Sequence, residues 1–155
     1  MSAALIKGPE FEVLAGDLLG RGHHLRFQAE GASMAPFIQA GDRLEVAPWP
    51  PERVRRGMVL LARLGDGRLV AHRVLRCRRD QSGLVFLLRG DANPCPDGWL
   101  GAAELLGRVI AVERAGLRRG LTGRNQRLLA WLWLLPGARW IYFKSRAVWS
   151  RLGGL

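Results

Sequence analysis

Three short segments hold the residues of this chain best suited to chemistry. Gly31-Ala32-Ser33-Met34-Ala35-Pro36, followed by Gly41-Asp42, sets a serine in a turn bounded by glycine and proline. Val70-Ala71-His72-Arg73-Val74 sets a histidine in an alternating apolar run. Arg89-Gly90-Asp91-Ala92-Asn93-Pro94-Cys95-Pro96-Asp97 carries two aspartates, the second six residues after the first. A serine hydroxyl is a poor nucleophile until a neighbouring base takes its proton. Histidine, with an ordinary pKa of about 6.5, can take it near neutral pH without extreme tuning. An aspartate on the other ring nitrogen would fix the tautomer and stabilise the imidazolium that forms. No lysine stands near these segments, since the only two are Lys7 and Lys144.

Each segment alone also has a plain reading. Ser33, Asp91 and Asp97 are residue types that turns favour, and His72 between Val70 and Val74 could be a packed or surface histidine. Arg73 is expected to pair with an acid of the body. His23-His24 reads as a solvated linker, because adjacent histidines point apart and a metal needs more ligands at suitable spacing. Cys77 and Cys95 form neither a metal motif nor a disulfide framework. No metal and no cofactor is expected.

Together, in this order and at this spacing, the three segments resemble the S24/S26 clan of serine peptidases, which includes signal peptidases and self-cleaving SOS-type repressors. The resemblance covers about residues 25–113. It implies that Ser33, the serine of the G-x-S-M-x-P motif, is the nucleophile. Many bacterial members use a neutral lysine as base. Here that position is His72, in A-H-R-V, which is similar to the archaeal and endoplasmic-reticulum branch. In that branch a G-D-x-N turn is followed by a second aspartate, and Asp91 and Asp97 fit those positions. The resemblance implies Asp97 as the orienter of His72, with Asp91 as a structural residue or the alternative orienter. Some signal peptidases add an oxyanion-binding hydroxyl two residues before the nucleophile. Gly31 stands there, so either the Ser33 amide suffices or the oxyanion hole is weaker. Met34 is expected to pack beneath the nucleophile or to line the substrate groove.

The activity implied is that of a serine endopeptidase cutting a precursor or leader peptide through an acyl-enzyme. The clan implies an extended substrate strand beside the active-site sheet, with small side chains near the scissile bond. Two rivals stand beside it. A non-catalytic module on the same fold would bind a peptide or a membrane, but has no need of the whole Ser33, His72 and Asp97 set. A self-cleaving regulator would need a helix-turn-helix, for which the roughly 24 residues before the first expected strand leave no room.

The elements that must position these residues are mostly strands. Apolar spacing predicts a short helix over residues 11–20, ended by Gly20 and Gly22. Strands are predicted over 25–30, 43–47, 58–64, 69–76, 84–89 and 106–112, separated by turn signals such as Gly65-Asp66-Gly67. The expected architecture is mainly β: a curved, partly open, barrel-like sheet of the signal-peptidase and SOS-repressor type. Its parts are an N-terminal segment (1–24), a catalytic β domain (25–113) and a helical appendage (114–155).

The 155 residues are 48% hydrophobic, enough for one domain with a packed core, which argues against disorder and collagen. The net charge of +11 is uneven. Residues 1–113 hold 15 basic and 13 acidic side chains, whereas 114–155 hold nine basic and no acidic ones. Four tryptophans (Trp131, Trp133, Trp140, Trp149) also lie in the second part. Residues 125–150 read as helix, break at Pro136, helix. Apolar and aromatic bulk beside cations suits a peripheral contact with anionic lipid. Packing on the body or on a partner is the alternative, and the segment is too apolar for nucleic acid to lead. With no run of 18 apolar residues and no leader pattern at the start, the expectation is a cytoplasmic chain, peripheral where it meets a membrane.

Overall fold

The computed structural model describes residues 9–123 and, in the C-terminal segment, residues 128, 130, 132–135, 137, 138, 140, 141 and 144. The readings at Lys7, Trp131, Pro136 and Trp149 lie outside the described residues.

Helix α1 spans Pro9–Gly20. Proline in the first turn loses no helical hydrogen bond, and Glu10 and Glu12 sit where the helix dipole favours negative charge. At its end the His23 N–H bonds to the Leu18 carbonyl while Gly22 takes a left-handed φ of +86°. Eight strands follow: β1 (Leu25–Gln28), β2 (Arg43–Ala47), β3 (Val59–Arg63), β4 (Leu69–Asp80), β5 (Gly83–Arg89), β6 (Gly98–Gly101), β7 (Leu105–Arg114) and β8 (Leu117–Gly120). They form one antiparallel sheet in the order β1-β2-β7-β3-β4-β5-β6, with β8 paired to β7. β1 and β6 are its two ends and do not meet, so the sheet is open. Bulges at Glu45/Val46, Leu61/Ala62 and Val74/Arg76 bend individual strands.

Core packs on both faces. Val59 and Leu61 of β3 join Ala15 and Leu19 of α1 with Leu44, Val46 and Val109. Leu60 and Ala62, alternating with them, join Val54, Val74, Phe86 and Leu88 on the other side. Burial on two faces explains why β3 is a continuous apolar run rather than an alternating one. Each fully buried leucine contributes roughly 1.5–3 kcal/mol.

The mainly β expectation holds, with β2 at the predicted bounds, but six strands become eight. β6 holds two glycines in four residues, and β8 is exposed along its whole length, so neither shows apolar alternation. β8 exists because Ala115 and Gly116, both at positive φ, fold the chain back onto β7. The β7–β8 hairpin runs across residue 113, the expected end of the β domain. Helix α1 supplies Ala15 and Leu19 to the core it shares with the sheet.

In the C-terminal segment residues 128, 130, 132 and 133 are helical, as are 138, 140, 141 and 144. Gly137, at a φ of +95°, lies in the break between them. Among the described residues no helix is long and apolar enough to cross a membrane.

Candidate active site

The nucleophile candidate sits in the turn between β1 and β2. Asp42, directly before β2, ties that turn down. Its carboxylate accepts the Gln39 N–H at 2.8 Å and two Arg114 bonds at 2.7 Å from the end of β7. The Arg114 hydrogen bonds hold the Asp42 carboxyl below the ordinary carboxylate range, against the opposing effect of burial. Arg114 also donates to the Phe37 carbonyl.

The third segment closes over the turn from the β5–β6 side. The Ala92 N–H donates to the Ser33 carbonyl at 2.7 Å. Gly90 is required for that approach, because a Cβ there would stand 2.6 Å from the Ser33 carbonyl oxygen and 2.8 Å from Asn93 Nδ2. The Asp97 N–H bonds to the Leu88 carbonyl, so the pairing of β6 with β5 sets the position of Asp97.

His72 lies on β4 opposite Leu60 of β3 and is 4% exposed. Its Nδ1 is 2.6 Å from Asp97 Oδ2 and its Nε2 is 2.9 Å from Ser33 Oγ. An ionised carboxylate only accepts, so Nδ1 carries the proton and donates to Asp97. In the neutral ring Nε2 is then the acceptor, and the Ser33 hydroxyl donates to it. Three residues far apart in the chain thus form one hydrogen-bonded line, with the partly exposed Ser33 at its outer end.

The two aspartates separate. Asp91 does not orient His72. It takes a two-point bond from Arg73, Nε to Oδ1 and Nη2 to Oδ2, each 2.7 Å. Arg73 also donates to the Gly57 carbonyl at 2.8 Å and lies over the Phe37 ring. Successive side chains of a strand point to opposite faces, so His72 and Arg73 of β4 reach different aspartates. Arg73 thus finds the acid expected of it.

Of its two expected places, beneath the nucleophile or along the groove, Met34 takes a packed one. It is 4% exposed within the α1-side core, and its sulfur receives the Asp91 N–H at 3.4 Å. Gly31 is exposed, at a φ of +74°, and brings no side-chain donor. Among the described residues the Ser33 N–H has no hydrogen-bond partner, which leaves it free to meet a developing oxyanion. Sequence reasoning missed the positioning parts: Gly90, the Arg114–Asp42 clamp and Phe37. The Gly41-Asp42 pair is the one sequence signal for the clamp. His24 lies 3.3 Å from a Glu45 oxygen. Among the described residues no three His, Cys, Asp or Glu side chains cluster as metal ligands.

No family model, curated protein or solved structure matches this chain.

Proposed function

We propose that this chain is a serine endopeptidase of the signal-peptidase type, acting on a precursor or leader peptide. The observation that carries the reading is the continuous line from Ser33 Oγ through His72 to Asp97, at 2.9 and 2.6 Å. Both lengths lie within hydrogen-bond reach.

The chemistry follows from the donor directions. Ser33 Oγ attacks the peptide carbonyl carbon as its proton passes to His72 Nε2. The carbonyl oxygen becomes an oxyanion beside the Ser33 N–H. Asp97 holds the imidazolium, which gives its proton to the leaving amine. Water then releases the acyl group from Ser33, with His72 again as base. The free edge of β6, next to Asp97, supports binding of an extended peptide by strand addition. The clan resemblance adds the preference for small side chains near the cut.

Incubation with a mixed peptide library, read by mass spectrometry, tests the activity. The wild-type chain cuts a subset of peptides. Ser33→Ala, His72→Ala and the double variant each lose turnover by about the same factor, ~10³ or more, because the residues act as one unit. Undiminished cutting by either single variant refutes the proposal.

A further inference from the structure

The C-terminal segment has two unlike faces. One lies on the body: Ala130 and Trp133 are buried, and the Trp133 ring packs edge-on against Phe37 with centroids 5.2 Å apart. Leu128, Leu132 and Leu135, spaced by four and three residues, lie away from it and are 57%, 42% and 38% exposed. Past Gly137, Trp140 and Ile141 are 62% and 64% exposed. Five large apolar side chains gathered along so short a stretch mark an interaction surface rather than scattered surface residues.

The neighbourhood of the segment is cationic. Lys144 Nζ lies 4.1 Å over the Trp140 ring. Beside the segment a cavity of about 550 Å³ is lined by Ala130 and Leu134 together with Arg53, Arg55, Arg56 and Arg108 of the body. Among the described residues no Asp or Glu lines it. Arg53 and Arg56 are exposed and have no carboxylate partner among the described residues. The one acid adjoining them in the chain, Glu52, is exposed as well.

We propose that this face docks on an anionic lipid bilayer. Leu128, Leu132, Leu135, Trp140 and Ile141 enter the headgroup boundary, while Arg53, Arg56 and Lys144 meet lipid phosphates. Charge selects this occupant. A second copy related by two-fold symmetry would set the same cations against each other, whereas an anionic surface matches both the apolar bulk and the positive rim. The docking rests on this surface alone and not on the peptidase reading. Its consequence for the candidate site is geometric. Trp133 packs on Phe37, which lies four residues after Ser33 and beneath the Arg73 guanidinium. A docked chain therefore holds its catalytic turn at a fixed place relative to the bilayer.

Sedimentation of the full chain with vesicles tests the proposal. Phosphatidylcholine alone is compared with phosphatidylcholine holding about 30 mol% phosphatidylglycerol, at roughly 0.1 M salt. Binding to the anionic vesicles is expected to be at least about tenfold tighter. Arg53→Gln with Arg56→Gln lowers it about 25-fold, near fivefold for each cation. Trp140→Ser with Ile141→Ser lowers it at least about tenfold. Glu52→Gln raises it about two- to threefold, a gain that misfolding does not produce. Equal binding to both vesicle types, no binding, or unchanged binding by both double variants overturns the proposal. So does self-association through this face without vesicle binding, or tighter binding to a single-stranded oligonucleotide at matched salt.

Discussion

Replacing Asp91 and Asp97 by asparagine, one at a time, should give opposite defects. Asp91 is 2% exposed and receives two bonds of 2.7 Å from an Arg73 guanidinium that is itself buried. Asp91→Asn leaves a buried cation without its counter-charge, which typically costs about 3–5 kcal/mol. At roughly 2–4 °C per kcal/mol for a chain of this size, Tm should fall by about 6–20 °C. Turnover per folded molecule, measured well below the new Tm, should fall far less, because His72 keeps its own partner. Asp97 sits at the rim of the site, its side chain 11% exposed and 2.6 Å from His72 Nδ1. Asp97→Asn puts an amide where a carboxylate held the ring proton. The favoured tautomer reverses, and Nε2 then carries a proton that blocks attack by Ser33. Turnover should fall about 10³- to 10⁴-fold with little change in Tm, a loss of the size known for the equivalent change in the Ser-His-Asp template. Urea or thermal melts followed by circular dichroism, paired with turnover of one library-derived peptide, read both quantities. If Asp91→Asn removes turnover at unchanged Tm, or Asp97→Asn unfolds the chain while its folded fraction stays active, the roles assigned here are wrong.

Gly90→Ala should cost activity out of proportion to its size. The added methyl would meet the Ser33 carbonyl oxygen at 2.6 Å, so the nucleophile turn must shift; kcat should fall at least about tenfold, and an unchanged kcat would show that the turn does not depend on this approach. The Arg114 clamp predicts an acid-side loss of stability. The Asp42 carboxyl is held below its ordinary value by Arg114, so its contribution is present above about pH 4 and fades as pH falls through the lower folded value. The Tm gap between wild type and Asp42→Asn should be steady from about pH 5 upward and shrink below about pH 4; a gap that widens on acidification would contradict the sign.

Much of this architecture is legible in the residues, and the exceptions share a cause. β2 and the Gly65-Asp66-Gly67 hairpin follow from apolar spacing and turn chemistry, which are local. β6 and β8 do not, because Gly98, Gly101 and the arginines of β8 carry no apolar alternation, and only pairing with β5 and β7 makes them strands. The same division runs through the site. Ser33, His72 and both aspartates stand out by motif, but motif alone leaves the two aspartates undivided. Geometry divides them: alternation along β4 sends His72 to Asp97 and Arg73 to Asp91. Met34 reads equally as a floor or as a wall of the groove until its burial is known. The contact of Phe37 with Trp133 joins residues almost a hundred positions apart and leaves no local trace.

The most direct measurement is labelling with a fluorophosphonate, which reacts far faster with an activated serine than with an ordinary one, followed by intact-mass and peptide mapping. One adduct is expected, on Ser33, formed at least about 10³-fold more slowly in His72→Ala. An adduct on another residue, or labelling of Ser33 at an unchanged rate without His72, would contradict it.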